Sequence, residues 1–422
     1  MMKRTTALMS LSSLAGANNL NFPFPYNSNT PVPFQVSVDS GFIEETRLKA
    51  SLYRPSVDLL DGAISNAGWL EGPPQANMTA LAKYWSRDYN WTKTQDEING
   101  KFSHFAVTIP SAGDYEHPVP LHFVHERANV HNAIPLLLLH GWPSTHLEWS
   151  KVIGPLRSPS NSSAQAFHIV APDLPGFGLS PAPTHSGLGS PEIGAALNQL
   201  MNQLGYDKYG IACTDLGWYV GLLMADKMPD NVIGLFSDFW LIQPNSTDLE
   251  RRAQNQTTEE ETLYIDSIQD FVNNHFSYSQ VHAQTPLAIG QAMSDTPVGY
   301  AGWVWHLIYW IYDGYEYGFD ELITNTLLLW IQGAWGNIRA YKALSIESLT
   351  YINVPTGASV WGLSNGPLES LANAQLTPGA WIERIANLTF LSKHEHGGHF
   401  PAQTEPELWT RDVQNFFGGL AN

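Results

Sequence analysis

The chain has 422 residues, 43% of them apolar and only 14% charged, a composition that can bury one large core and excludes a disordered chain. Lys and Arg number 21 against 39 Asp and Glu, a formal net charge of −18 without a long basic run, which argues against nucleic acid and anionic membranes as partners and for a small uncharged substrate. The single cysteine, Cys213, excludes an internal disulfide and any multi-cysteine zinc site, and no stretch reaches the roughly 18 apolar residues of a membrane span.

Residues 1–22 read as a targeting or disordered segment. Met1-Met2-Lys3-Arg4 and the small residues Ala15-Gly16-Ala17 weakly resemble a secretory signal with a polar middle, so a soluble protein of the cytoplasm or of the secretory pathway is expected. Residues 23–128 carry few long periodic segments and many aromatics, then strand-like runs at 105–109 and 121–125, the pattern of a wrapping N-terminal region that feeds a sheet edge. In 129–244 short continuous apolar runs at 135–139, 167–171, 209–213 and 232–236 alternate with helical segments, which predicts a parallel sheet covered on both faces. Helical, tryptophan-rich sequence replaces the strands over 245–348, an inserted cap in which Ala301 to Tyr312 is too short for a membrane span. The core resumes over 349–422, with strands at 357–361 and 388–391 and an amphipathic helix near 407–417.

Three loops at strand ends could carry chemistry. Cys213-Thr214-Asp215-Leu216-Gly217 joins a strand to a helix with small residues two before and two after Asp215, the layout of a nucleophile elbow. A carboxylate at the apex attacks carbon and forms an ester with the enzyme, though an Asp at this place could also simply cap the helix. His140-Gly141-Trp142-Pro143 follows the first core strand, where a loop amide, with that of Leu216, would complete an oxyanion hole. Near the carboxyl end, His394, His396 and His399 have spacings that invite a metal, but Gly397-Gly398 make a loop of them and no matching cluster accompanies them. His399 is the better reading as a base, since nucleophile first and histidine last is the α/β-hydrolase order. The loop Asp173 to Ser180 is expected to be a rigid structural element beside the site.

Together with Tyr84 to Trp91, Ile98 to Phe102, Gly397 to Phe400 and cap segments such as Asp295 to Gly299, these motifs resemble those of the epoxide hydrolases of the α/β-hydrolase superfamily, in the microsomal-type branch with an extra N-terminal region. The resemblance implies an α/β-hydrolase fold, no cofactor or metal, and hydrolysis of an uncharged epoxide to a vicinal diol. It implies Asp215 as nucleophile, His399 as base for water, the amides of Trp142 and Leu216 as oxyanion donors, and Tyr278 and Tyr341 as acids that protonate the epoxide oxygen. The sequence departs from the pattern at Trp218, where a small residue is usual, and after the strand 357–361, where Gly362-Leu363-Ser364-Asn365 offers no acid. Asp238 is therefore expected to orient His399, with Glu369 as the alternative. A dehalogenase-like hydrolase and an inactive ligand-binding relative are the rival readings, and homodimerisation is left open.

Overall fold

A computed structural model describes residues 20–58, 69, 71–344 and 350–420; the signal-like stretch Met1 to Ala17 lies outside them. Among the described residues nine strands form one sheet: β1 (Val32–Pro33), β2 (His104–Ile109), β3 (Val119–Glu126), β4 (Ile134–Leu139), β5 (Phe167–Pro172), β6 (Tyr209–Cys213), β7 (Val232–Ser237), β8 (Ile352–Trp361) and β9 (Ala386–His394). Their spatial order is β1-β2-β3-β5-β4-β6-β7-β8-β9. The first three strands run antiparallel into β5, and every pair from β5 to β9 is parallel.

The continuous apolar runs are explained by burial on both faces of this sheet. In β4 Leu137 and Leu139 point to one core and Leu136 and Leu138 to the other, because successive side chains of a strand alternate. One face is covered by the helices Ser190–Gln203 and Asp215–Lys227, the other by the terminal helix Pro406–Leu420. Phe417 of that helix meets Phe167 of β5 edge-on, and Trp409 packs against Trp149 and Phe236. Burying side chains of this size contributes roughly 1.5–3 kcal/mol each, enough to anchor the chain end.

Between β7 and β8 the described residues form helices from Ser246 to Ala343 and no strand, including Pro297–Ile311, into which Ala301 to Ile311 fall. The first of them is tied to the core by a bidentate pair, Arg384 Nη1 and Nη2 to Asp248 at 2.8 Å each. The N-terminal region differs from the sequence reading in that its described residues include three regular helices, Ser40–Ser51, Gln75–Arg87 and Trp91–Lys101. The first buries only Thr46 and Ala50 and the third only Trp91 and Ile98, so their apolar stripes are too sparse to stand out as a period. No helix among the described residues is long and apolar enough to cross a membrane.

Candidate active site

Parallel strands place their carboxyl ends along one sheet edge, and the functional loops gather there. Asp215 follows β6 at φ 44°, a left-handed conformation that costs a non-glycine residue about 1–3 kcal/mol and holds its side chain out from the strand-to-helix turn. The strain is borne by the neighbouring registers: Cys213 pairs with Leu139 on one side and Ser237 on the other, and the Thr214 amide donates to Leu139 O at 3.1 Å. Two glycines make room. A Cβ on Gly141 would overlap the Asp215 side chain, and one on Gly217 would overlap the backbone oxygen of Leu139. Trp218, the departure beside this turn, is accommodated by edge-on contacts with Tyr219, Phe239 and Trp240.

Asp215 is not spent on capping its helix, whose N-cap position is Thr214. Its Oδ1 accepts from the Trp142 amide at 2.7 Å and its Oδ2 lies 3.3 Å from His399 Nε2. The loop that supplies this amide is locked from both sides. On the core side the Leu174 amide donates to His140 Nε2 at 3.0 Å, which fixes the tautomer so that Nδ1–H points to Gly141 O. On the cap side Trp142 Nε1 donates to Asn337 Oδ1 at 3.0 Å and to Tyr300 Oη at 3.3 Å, and Asn325 Nδ2 donates to Pro143 O at 2.6 Å. The bond between Trp142 and Pro143 is cis.

His399 is 6% exposed, with its amide bonded to Ile311 O at 2.8 Å and its ring edge-on to Phe239 and Phe400. The expectation of a carboxylate on its far nitrogen differs from the geometry: Nδ1 donates to Gln375 Oε1 at 3.2 Å. Asp238 stands close enough to act on His399 through its charge, but its Oδ2 accepts from Trp409 Nε1 at 2.5 Å. Burial pushes the Asp238 carboxyl up to about 6, against the pull of its hydrogen bonds. Glu369 lies exposed on the short turn Glu369–Leu371. Glu148, which sequence reasoning passed over, is wholly buried behind the site; burial first, and then the charge of Asp238, raises its carboxyl well above the ordinary range.

The cap supplies the opposite wall. Tyr278 stacks on Trp142 with ring centroids 5.6 Å apart, Tyr341 stands edge-on to both, and His282 touches Trp142, Tyr278 and Tyr341. Trp303 Nε1 donates to His282 Nε2 at 2.9 Å, and burial lowers that imidazole to about 3. Burial, and then the charge of Asp215, holds the Tyr278 hydroxyl well above its ordinary value. Tyr341 is raised first by burial, then by Tyr278 and Asp215. Sequence reasoning missed His282 although it sits one helical turn after Tyr278. Gln375 carried no local signal.

Asp215, Leu216, Tyr278, Tyr341, Gln375 and His399 all line one cavity of about 180 Å³, whose remaining wall is mostly aromatic and aliphatic. The other two histidines of the carboxyl-end loop do not join His399. His394 stacks on Trp361 and bonds Asp412 at 2.7 Å, while His396 faces Glu405 at the surface. Among the described residues, one group has metal-ligand geometry: His122, His146 and Asp173, with ligand atoms within 4.8 Å of one another. Asp173 already accepts from both imidazoles and from the amides of His146 and Leu179. The loop Asp173 to Ser180 is therefore held by its own carboxylate, and these atoms are occupied by one another.

Known proteins are similar to this chain along most of its length. A family model described as the epoxide hydrolase N terminus matches residues 31–149, and one for the alpha/beta hydrolase fold matches 134–335. The chain is similar to the juvenile hormone epoxide hydrolase of Manduca sexta, with 30% identity over 407 residues that cover 90% of this chain and 84% of that one. In fold it is similar to the crystal structure of juvenile hormone epoxide hydrolase from the silkworm Bombyx mori, with a TM-score of 0.80 at 23% identity over 93% of this chain and 95% of the other. The structure of Aspergillus niger epoxide hydrolase gives a TM-score of 0.78 at 21% identity over 95% of this chain and 100% of the other. The two structures share the fold, and the 30% identity to the Manduca sexta enzyme over 90% of this chain shows the family: the chain belongs to the epoxide hydrolases of the α/β-hydrolase fold.

Proposed function

We propose that the chain opens a small apolar epoxide to a vicinal diol in two steps through an ester on Asp215. The observation that carries this reading is the Asp215 carboxylate itself, pinned by the Trp142 amide at 2.7 Å, faced by His399 at 3.3 Å, and set in a cavity whose other wall bears two phenols. In the first step Asp215 Oδ2 attacks an oxirane carbon, the carbon–oxygen bond breaks, and Tyr278 and Tyr341 meet the departing oxygen, one of them giving it a proton. Their raised pKa values suit this task, since both stay protonated at working pH and release a proton only to a strongly basic alkoxide.

In the second step His399 Nε2 takes a proton from water, and the resulting hydroxide attacks the ester carbonyl. The amides of Trp142 and Leu216 hold the tetrahedral oxyanion; its collapse breaks the ester bond, the hydroxyl proton brought by the water passes to the departing alkoxide to leave the diol and the Asp215 carboxylate, and the imidazolium proton returns to the tyrosinate, so protons balance over the cycle. Asp238 supplies a negative charge behind the imidazolium without contact. The aromatic cavity wall and its volume support an aryl or compact alkyl epoxide as substrate. A single turnover in oxygen-18 water tests the reading. Label is expected in the Asp215 carboxylate and not in the first diol released, because water attacks the ester carbonyl. Label found only in the diol would mean direct attack of water on the epoxide and would overturn it.

A further inference from the structure

We propose that Gln375 is the positioning residue of the base, and that its uncharged amide on His399 Nδ1, standing where a carboxylate could, lowers the rate of ester breakdown. The inference rests on the ester mechanism proposed above and concerns only its second half.

An imidazole that takes a proton on Nε2 has to carry its resident proton on Nδ1. Gln375 Oε1 is an acceptor at 3.2 Å from that nitrogen, so it selects the useful tautomer and holds the ring plane. What it does not supply is charge. A hydrogen bond to an ionised partner is about twice as strong as one between neutral groups, and the difference matters only once the imidazole becomes cationic.

Ester formation removes the compensation that the resting site has. In the free enzyme the nearest anion to His399 is Asp215, 3.3 Å from Nε2. Alkylation converts that carboxylate to a neutral ester just before the imidazole has to become positive. The groups that then face His399 are Gln375, the rings of Phe239 and Phe400, the Ile311 carbonyl on its backbone amide, and Asp238. Asp238 is 2% exposed, bonds Trp409 rather than the imidazole, and is only part ionised near pH 6. Epoxide opening needs none of this, because His399 is not a base in that step.

The test is rapid-quench kinetics with styrene oxide, reading intact-protein mass for the alkyl-enzyme and product for diol, in the full-length wild type and in Gln375→Glu and Gln375→Leu. The wild type supplies the reference rates of ester formation and breakdown. Gln375→Glu should speed ester breakdown by about tenfold or more, shrink the ester fraction, and move the pH midpoint of breakdown upward, since an adjacent anion favours the cationic imidazole. Gln375→Leu, which loses the acceptor, should slow breakdown by about 10–100-fold with the alkylation rate within about threefold of wild type. Ester that forms but breaks down at the wild-type rate and with the wild-type pH midpoint in both variants would overturn the inference alone. Failure of any variant, wild type included, to form an ester would overturn the underlying mechanism and the inference with it.

Discussion

The two walls of the cavity are built on opposite physical plans. On the sheet side both working side chains are fixed by polar contacts: Asp215 by an amide on one oxygen and an imidazole near the other, His399 by its amide and by Gln375. On the cap side Tyr278 and Tyr341 are fixed by ring against ring. The difference follows the timing of need. A nucleophile has to be aimed before substrate arrives, whereas a proton donor whose hydrogen bonds are already made would have to break one to reach the epoxide oxygen.

The largest test of this contrast is on the sheet side. Gly141→Ala forces a Cβ into Asp215, so we expect alkylation to fall by at least about a thousandfold with the cap tyrosines untouched. Near-normal alkylation would mean that the aim of Asp215 is less constrained than its geometry. A smaller effect is expected from the cap. Tyr278→Phe or Tyr341→Phe keeps the rings that do the holding and removes one donor, which should slow ring opening by about 10–1000-fold, and the double variant by more, with unchanged thermal stability. A double variant as active as wild type would remove the tyrosines from the chemistry.

The smallest effect concerns stability and involves both walls. Burial lowers His140 on the core loop to about 4 and His282 in the cap to about 3, below the ordinary value near 6.5 that each regains on unfolding. The unfolded chain then binds more protons, so the stability each provides is complete above about pH 6.5 and is lost as pH falls toward the folded value. Urea unfolding at pH 7 and pH 5 should show a loss of at most about 2 kcal/mol per histidine. His282→Phe should lessen that loss, and an unchanged loss would mean that His282 takes no part in the acid sensitivity.

Legibility in the sequence divides along a different line. The elbow and the His140 loop could be read because each is a local constellation in which spacing and the residue types that tolerate close backbone approach lie within a few positions. The parallel core was legible for a related reason: strands buried on both faces are apolar without interruption, and all six predicted core strands lie inside β4 to β9. The first and third N-terminal helices were not legible because they bury so few side chains, whereas the second buries Met78, Leu81, Ala82 and Trp85 at helical spacing. Gln375 was not legible for a deeper reason. What meets His399 Nδ1 is decided by the path of the loop between β8 and β9, in which a neutral residue comes to the nitrogen while the carboxylate of Glu369 turns outward. A search confined to charged residues could name Asp238 and Glu369 and still miss the atom in contact.

The hydrogen bonds that tie the Trp142 indole to Asn337 and the Pro143 carbonyl to Asn325 give the cap a hold on the oxyanion donor itself. A motion that lifts the helices carrying these two asparagines releases the ring and the carbonyl that frame the amide on Asp215, so closure and readiness to react become a single coordinate. Ligands too bulky to let the cap seat would be discriminated against twice, once in binding and again because the site they occupy has lost the aim of its nucleophile.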